Sequence, residues 1–168
     1  MKIRTLAIGA AAAGILALTA GPAQADHTKG KKYLDLELTP QAAVEADDPF
    51  GAAPEGSVGT GAMYLNHGQE RFCLFLDFEL TEGVQIVALH LHEKAPGEQN
   101  GGIAIDATEL ISQEDGLSTS GCLSAERTEL RGVLSNPEDY YINAHTNADD
   151  PEAEFRDLSV VRTELSHN

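Results

Sequence analysis

Phe72, Leu74, Leu76, Phe78 and Leu80 occupy one unbroken alternating face, the two-residue period of a strand with one side buried. Asn66-His67-Gly68-Gln69 before them is a turn signal, and Ala62 and Tyr64 lead into it, which predicts a hairpin. Thr81-Glu82-Gly83 makes the next turn and Val84 to His92 alternates again, so Ser57 to His92 is expected to form a meander of three antiparallel strands. On the third, Val87, Leu89 and Leu91 share one face, and Ile86, Ala88, His90 and His92 the other. Upstream, Tyr33 to Thr39 sets Leu34, Leu36 and Leu38 against Asp35 and Glu37, another half-buried strand. The three prolines, the alanines and Asp47-Asp48 between Pro40 and Gly56 predict a surface loop. Residues 26–32 are polar and unpatterned, and predict a loose tail. Downstream come a Gly/Asn loop from Glu93 to Gly102, a short strand at Ile103 to Asp106, and an edge strand at Leu117 to Leu123. Arg127 to Leu134 carries Leu130, Val133 and Leu134 at helical spacing and is closed by Asn136-Pro137. Tyr140 to Thr146 and Phe155 to Leu165 are the last two strands. Many short strands and little helix predict an all-β antiparallel sandwich or barrel with one short helix.

The first residues carry a different pattern. Lys2 and Arg4 precede an apolar run from Leu6 to Ala20, too short and too poorly flanked for a stable bilayer crossing. After Gly21-Pro22, Ala23-Gln24-Ala25 puts small residues at −3 and −1. Residues 1–25 are therefore expected to be a signal peptide with Asp26 the new N-terminus, the alternative being an uncleaved anchor. The residue directly after the cleavage point is Asp26 and not a cysteine, which argues against a lipidated N-terminus. The chain has 168 residues, so 143 of them remain, enough for one domain over 33–165. With Lys2 and Arg4 gone, 9 basic residues face 27 acids, a net charge of −18. Such a surface repels phosphate backbones and anionic lipid, so nucleic acid and membrane insertion after cleavage are not expected. It favours solubility and cations, and the plainer reading of the excess acid is solvation of an exported chain. An exported chain meets oxidising conditions, and Cys73 and Cys122 are expected to form a disulfide.

Two linked phrases concentrate the polar chemistry. His90-Leu91-His92 runs into the loop bearing Asn100-Gly101, and Asn136-Pro137-Glu138-Asp139-Tyr140-Tyr141-Ile142-Asn143-Ala144-His145-Thr146 follows later. Within the second phrase Tyr141, Asn143 and His145 fall on one face and Tyr140, Ile142 and Ala144 on the other. Together the phrases resemble the CHRD domain, a module repeated in chordin and found singly in exported bacterial proteins. Its hallmarks are a His-x-His strand, a Gly/Asn-Gly loop and a Tyr-x-Asn-x-His-Thr strand. The resemblance spans Tyr33 to Leu165. It implies a secreted immunoglobulin-like sandwich or related barrel, in a family whose bacterial members lack an assigned activity. Two departures stand out: Arg156 is followed by Asp157 where an Arg-Gly step is usual, and the loop after His92 is about one residue longer.

The chain is thus expected to be an extracellular binding or structural module rather than an enzyme, its partner an extracellular protein or a cation. In the resemblance, His90, His92, Asn100, Gly101, Tyr141, Asn143, His145 and Thr146 form one cluster with the loop lying over it. A His-x-His strand gives two same-side nitrogen ligands, so with His145 the cluster can hold copper or zinc, with redox chemistry as an extension. Cu/Zn superoxide dismutase, another small exported barrel, is a loose analogy, since its full ligand set is not matched here. The competing reading is a hydrogen-bonded brace that fixes the loop to the sheet. Nothing specific supports hydrolysis, since no Gly-x-Ser-x-Gly elbow is present. Asp47-Asp48 and Asp149-Asp150 lack calcium-loop order and are expected to be solvated. His27, His67 and His167 are expected at the surface. A third possibility is partner binding through Pro40 to Gly56.

Overall fold

A computed structural model describes residues 30–147 and 159–166. The predicted leader with its Asp26 junction, His27, Asp149-Asp150, residues 155–158 and His167 lie outside the described residues. Eight strands are described: β1 (Gly30–Leu38), β2 (Val58–Asn66), β3 (Arg71–Glu79), β4 (Ile86–Lys94), β5 (Gly101–Asp106), β6 (Ser118–Ser124), β7 (Tyr140–Thr146) and β8 (Ser159–Glu164). Two helices join them, α1 (Pro40–Glu45) and α2 (Arg127–Ser135). The strands form two antiparallel four-stranded sheets, ordered β1-β2-β3-β6 and β5-β4-β7-β8.

Leu38, Met63, Leu65, Phe72, Leu74 and Leu76 from the first sheet meet Leu89, Leu91, Ile142, Ala144 and Val161 from the second in one core, and Leu130 and Val133 of α2 join it. Burying such side chains contributes roughly 1.5–3 kcal/mol each and sets the facing of every strand. At one side Thr39 N–H donates to Arg162 O at 2.8 Å and Arg162 N–H returns to Thr39 O at 3.0 Å, which ties the end of β1 to β8. Among the described residues no strand ladder joins the two sheets, so the fold is a sandwich and the closed-barrel alternative is corrected.

Three further expectations are corrected. The β2–β3 hairpin holds in continuous register from Val58↔Glu79 to Asn66↔Arg71, but β4 leaves for the second sheet, so no three-stranded meander forms. Alternation fixes facing but not neighbours, and β3's free edge is taken by β6, where Cys73 faces Cys122. Their sulfurs are 2.06 Å apart, the expected disulfide. Second, β1 begins at Gly30, within the predicted tail, and carries a bulge between Tyr33 and Leu36 with Asp35 at φ 56°. The extra residue puts Tyr33 and Leu36 both inward. A similar irregularity between Ile86 and Ala88 in β4 turns Ile86 into the core and leaves Val87 exposed, the reverse of simple alternation.

Third, Pro40–Gly56 is not a plain surface loop. Thr39 Oγ1 accepts from Ala42 N–H at 3.2 Å and Pro40 sits in the first turn, so the segment opens as a capped helix. It closes with a Schellman turn: Asp47 N–H donates to Val44 O at 3.2 Å and Asp48 N–H to Ala43 O at 3.0 Å, with Asp47 at φ 49°. Ala43, Ala46 and Ala53 are buried. Val160 N–H donates to Gly51 O and Ala53 N–H to Val160 O, which clamps the segment's end along β8.

Candidate functional site

The cluster lies on the face of the second sheet that points away from the core. Register aligns Asp106, His90, Asn143 and Arg162 in one row across β5, β4, β7 and β8. His92, Tyr141 and Glu164 form the next row, and Ala88, His145 and Val160 a third. Each row residue on β7 is flanked along the strand by Tyr140, Ile142 or Ala144, which enter the core. Packing of those apolar neighbours thereby fixes where Tyr141, Asn143 and His145 point.

His90, His92 and His145 converge as the sequence predicts: one nitrogen from each lies within 4.8 Å of the others. They are only 4%, 5% and 0% exposed. His90 packs edge-on against both other rings, with centroids at 5.5 Å from His92 and 5.1 Å from His145. Phe50 meets His145 edge-on at 4.6 Å. Loss of solvent disfavours the charged imidazoles. Burial pushes His145 down to about 3, and His90 and His92 beside it push the same way. Burial likewise pushes His92 down to about 4, against the Gly101 carbonyl, which favours its cation. His90 is lowered by burial, opposed by Asp106, whose Oδ1 is 3.7 Å from Nε2. Near neutral pH the site therefore presents three neutral nitrogen donors.

His92 shows how the donors are aimed. Its Nδ1 lies 3.2 Å from Gly101 O, and a carbonyl only accepts, so Nδ1 carries the proton and Nε2 the lone pair. Nε2 is buried and has no hydrogen-bond partner among the described residues. A second network stands behind the imidazoles. Arg162 is fully buried and donates from Nη1 to Asp48 Oδ2 at 2.9 Å and Asn100 Oδ1 at 2.6 Å, and from Nη2 to Gln99 O at 2.6 Å. Glu164 closes the rest of the fork, with Oε1 2.8 Å from Nε and 2.7 Å from Nη2. Asn143 Nδ2 also donates to Asp48 Oδ2 at 2.9 Å, and Asn100 Nδ2 reaches Ala46 O and Asp47 O.

Asn100 and Gly101 thus join the cluster as expected, through Arg162 and Tyr141. Thr146 does not share that face: it is buried beside β8, with Oγ1 2.8 Å from Ser159 Oγ. Asp48 corrects the expectation of a solvated carboxylate, because the Schellman turn sends it under the loop onto Arg162. His67, expected at the surface, lies half-buried in the β2–β3 turn. Asp48, Phe50 and Arg162 are site residues that the sequence reading missed. For Arg162 a signal existed, a lone cation beside Val160 and Val161 in a strand. For Asp48 none did, since its place depends on a long-range pairing.

The family model of the CHRD domain matches residues 34–156. No curated protein and no solved structure matches the chain.

Proposed function

The chain belongs to the CHRD-domain family, and we propose that this member is an exported protein that binds one zinc or copper ion through His90, His92 and His145. The observation that carries this reading is the convergence of three buried imidazoles, one nitrogen from each within 4.8 Å of the others. A small inward movement brings such a set to the roughly 2.0–2.1 Å bonds that zinc makes to imidazole nitrogen, with a fourth position left for water or a ligand. The donors are neutral and nitrogen only, which suits zinc and copper better than calcium or magnesium.

The brace reading finds its support in other side chains. Asp48, Arg162, Asn100 and Asn143 hold the loop to the sheet, while His92 keeps Nε2 out of that network. Brace and metal site therefore coexist as supporting and binding layers. Export is supported by the leader pattern and by the disulfide, which persists in oxidising compartments. The acidic surface favours cations over nucleic acid or lipid as partner. We assign no catalysis, and any redox role follows only if copper is the ion held.

Tag-free protein titrated with zinc and with copper tests the reading. One equivalent is expected, lost in the His92→Ala and His145→Ala variants while their far-UV spectra stay native. Wild-type protein that takes up neither ion, or a triple-alanine variant that still takes one, would overturn it. N-terminal sequencing of exported protein is expected to begin at Asp26.

A further inference from the structure

His92 is held from two directions by one neighbour. The Tyr141 ring is stacked on the imidazole, centroids 4.7 Å apart and planes 6° from parallel. Its hydroxyl accepts from Gly101 N–H at 3.1 Å and lies 3.4 Å from Gly101 O, the same carbonyl that takes the His92 Nδ1 proton. Gly101 pairs with Lys94 and lies so close to the backbone of Glu93 and Ala95 that any side chain there would strike it. On the far face of Tyr141 the Arg162 guanidinium lies 3.5 Å from the ring centroid, and Arg162 is itself locked by Asp48, Asn100 and Glu164. The result is a stack of guanidinium, phenol and imidazole whose last member is a candidate ligand.

We propose that Tyr141 is a positioning residue for the metal site: its ring fixes the plane of His92, and its hydroxyl fixes the Gly101 carbonyl that holds His92 as the Nδ1–H tautomer with Nε2 turned toward the ion. This rests on the zinc or copper reading above. Outer partners of this kind orient an imidazole and raise its basicity, and their loss typically costs 10–100-fold in metal affinity. The stack also accounts for a tyrosine in the polar face of β7, where a metal ligand set alone calls for none.

Tyr141→Phe keeps the ring and removes only the hydroxyl. Two measurements on metal-free and zinc-titrated protein separate the claims. Long-range 15N–1H spectra of metal-free wild type are expected to show His92 protonated at Nδ1, and those of Tyr141→Phe a mixture of tautomers. Zinc affinity is expected to fall about 10-fold or more in Tyr141→Phe, with the melting temperature little changed. If the variant does not fold, the wild-type spectrum alone decides, because His92 protonated at Nε2 overturns the proposal. Unchanged tautomer and unchanged affinity in a folded variant overturn it equally. Wild type that binds no zinc or copper defeats the metal reading, while the tautomer comparison still decides whether Tyr141 positions His92.

Discussion

Strands β3 and β7 have similar lengths and central places, yet they bury their residues in opposite ways. In β3, Phe72, Leu74, Leu76 and Phe78 go inward, while Phe75, Asp77 and Glu79 are exposed. Every residue of β7 is buried. One side is apolar, with Tyr140, Ile142 and Ala144 in the core, and the other carries Tyr141, Asn143 and His145 beneath the segment of α1 and the Gly/Asn loop. A one-sided strand needs only a partner sheet. A strand buried on both sides with polar groups on one needs a partner for each of those groups, and here that requirement recruits Asp48 and Arg162 from distant segments.

The largest test breaks that second burial. Asp48 and Arg162 pair with both side chains inaccessible to solvent. Removing one partner leaves the other charge buried, which costs about 3–5 kcal/mol. Asp48→Ala is expected to lose that much in urea denaturation, and the double variant Asp48→Ala with Arg162→Met less than the sum of the singles. Full additivity would mean that the two charges are supported independently.

The first sheet offers the matching experiment. The Cys73–Cys122 bridge closes 49 residues of sequence separation, which chain entropy translates into about 4 kcal/mol, with 2–4 typical of measured cases. Replacing both cysteines by alanine is expected to lower stability in that range and to leave zinc affinity unchanged, because the bridge lies on β3 and β6, whereas the histidines lie on β4 and β7. A large loss of affinity would show the sheets to be coupled.

The same contrast explains what was readable beforehand. Facing within β3 and β7 follows from period two, as does the shared side of His90 and His92, while the nearness of His145 to them was implied only by the family resemblance. The disulfide followed from cysteine count and compartment. Which strands pair did not, because β4 alternates equally well in either sheet. The bulges at Asp35 and after Ile86 shift facing by one residue with no mark in the pattern. The helix α1 did leave a mark, a Thr39 cap with Pro40 behind it, outweighed by prolines and acids that suggested a loop. Asp48 illustrates the limit most sharply: adjacent acids resemble solvated charge until a cation 114 positions away is placed beside one of them.

Acid should act on the second sheet first. His92 and His145 have folded values of about 4 and 3, below the ordinary 6.5. Between 6.5 and those values the unfolded chain binds protons that the folded chain excludes, so stability falls as pH falls and is complete above 6.5. Each group contributes at most about 1.4 kcal/mol per pH unit, so a loss on the order of 2 kcal/mol is expected between pH 6 and 5 in metal-free protein. Urea midpoints measured with a chelator present check this, and His145→Gln should flatten the curve. Stability that stays level or rises across that interval would contradict neutral, buried imidazoles.

The smallest effect concerns the turn that delivers Asp48. Asp47 adopts φ 49° at the helix end, a conformation that a Cβ disfavours by roughly 1–2 kcal/mol for most residues and less for Asp or Asn. Glycine removes that cost but adds freedom to the unfolded chain, so the two changes partly offset. Asp47→Gly is therefore expected to gain a few tenths of a kcal/mol up to about 1, and Asp47→Ala to lose a comparable amount. Neither change removes the Asn100 contact, which uses the Asp47 carbonyl. Thermal melts of the three proteins decide it. An alanine variant more stable than the glycine variant would mean that the turn does not hold this conformation in solution, and that Asp48 reaches Arg162 from a looser segment than the Schellman geometry provides.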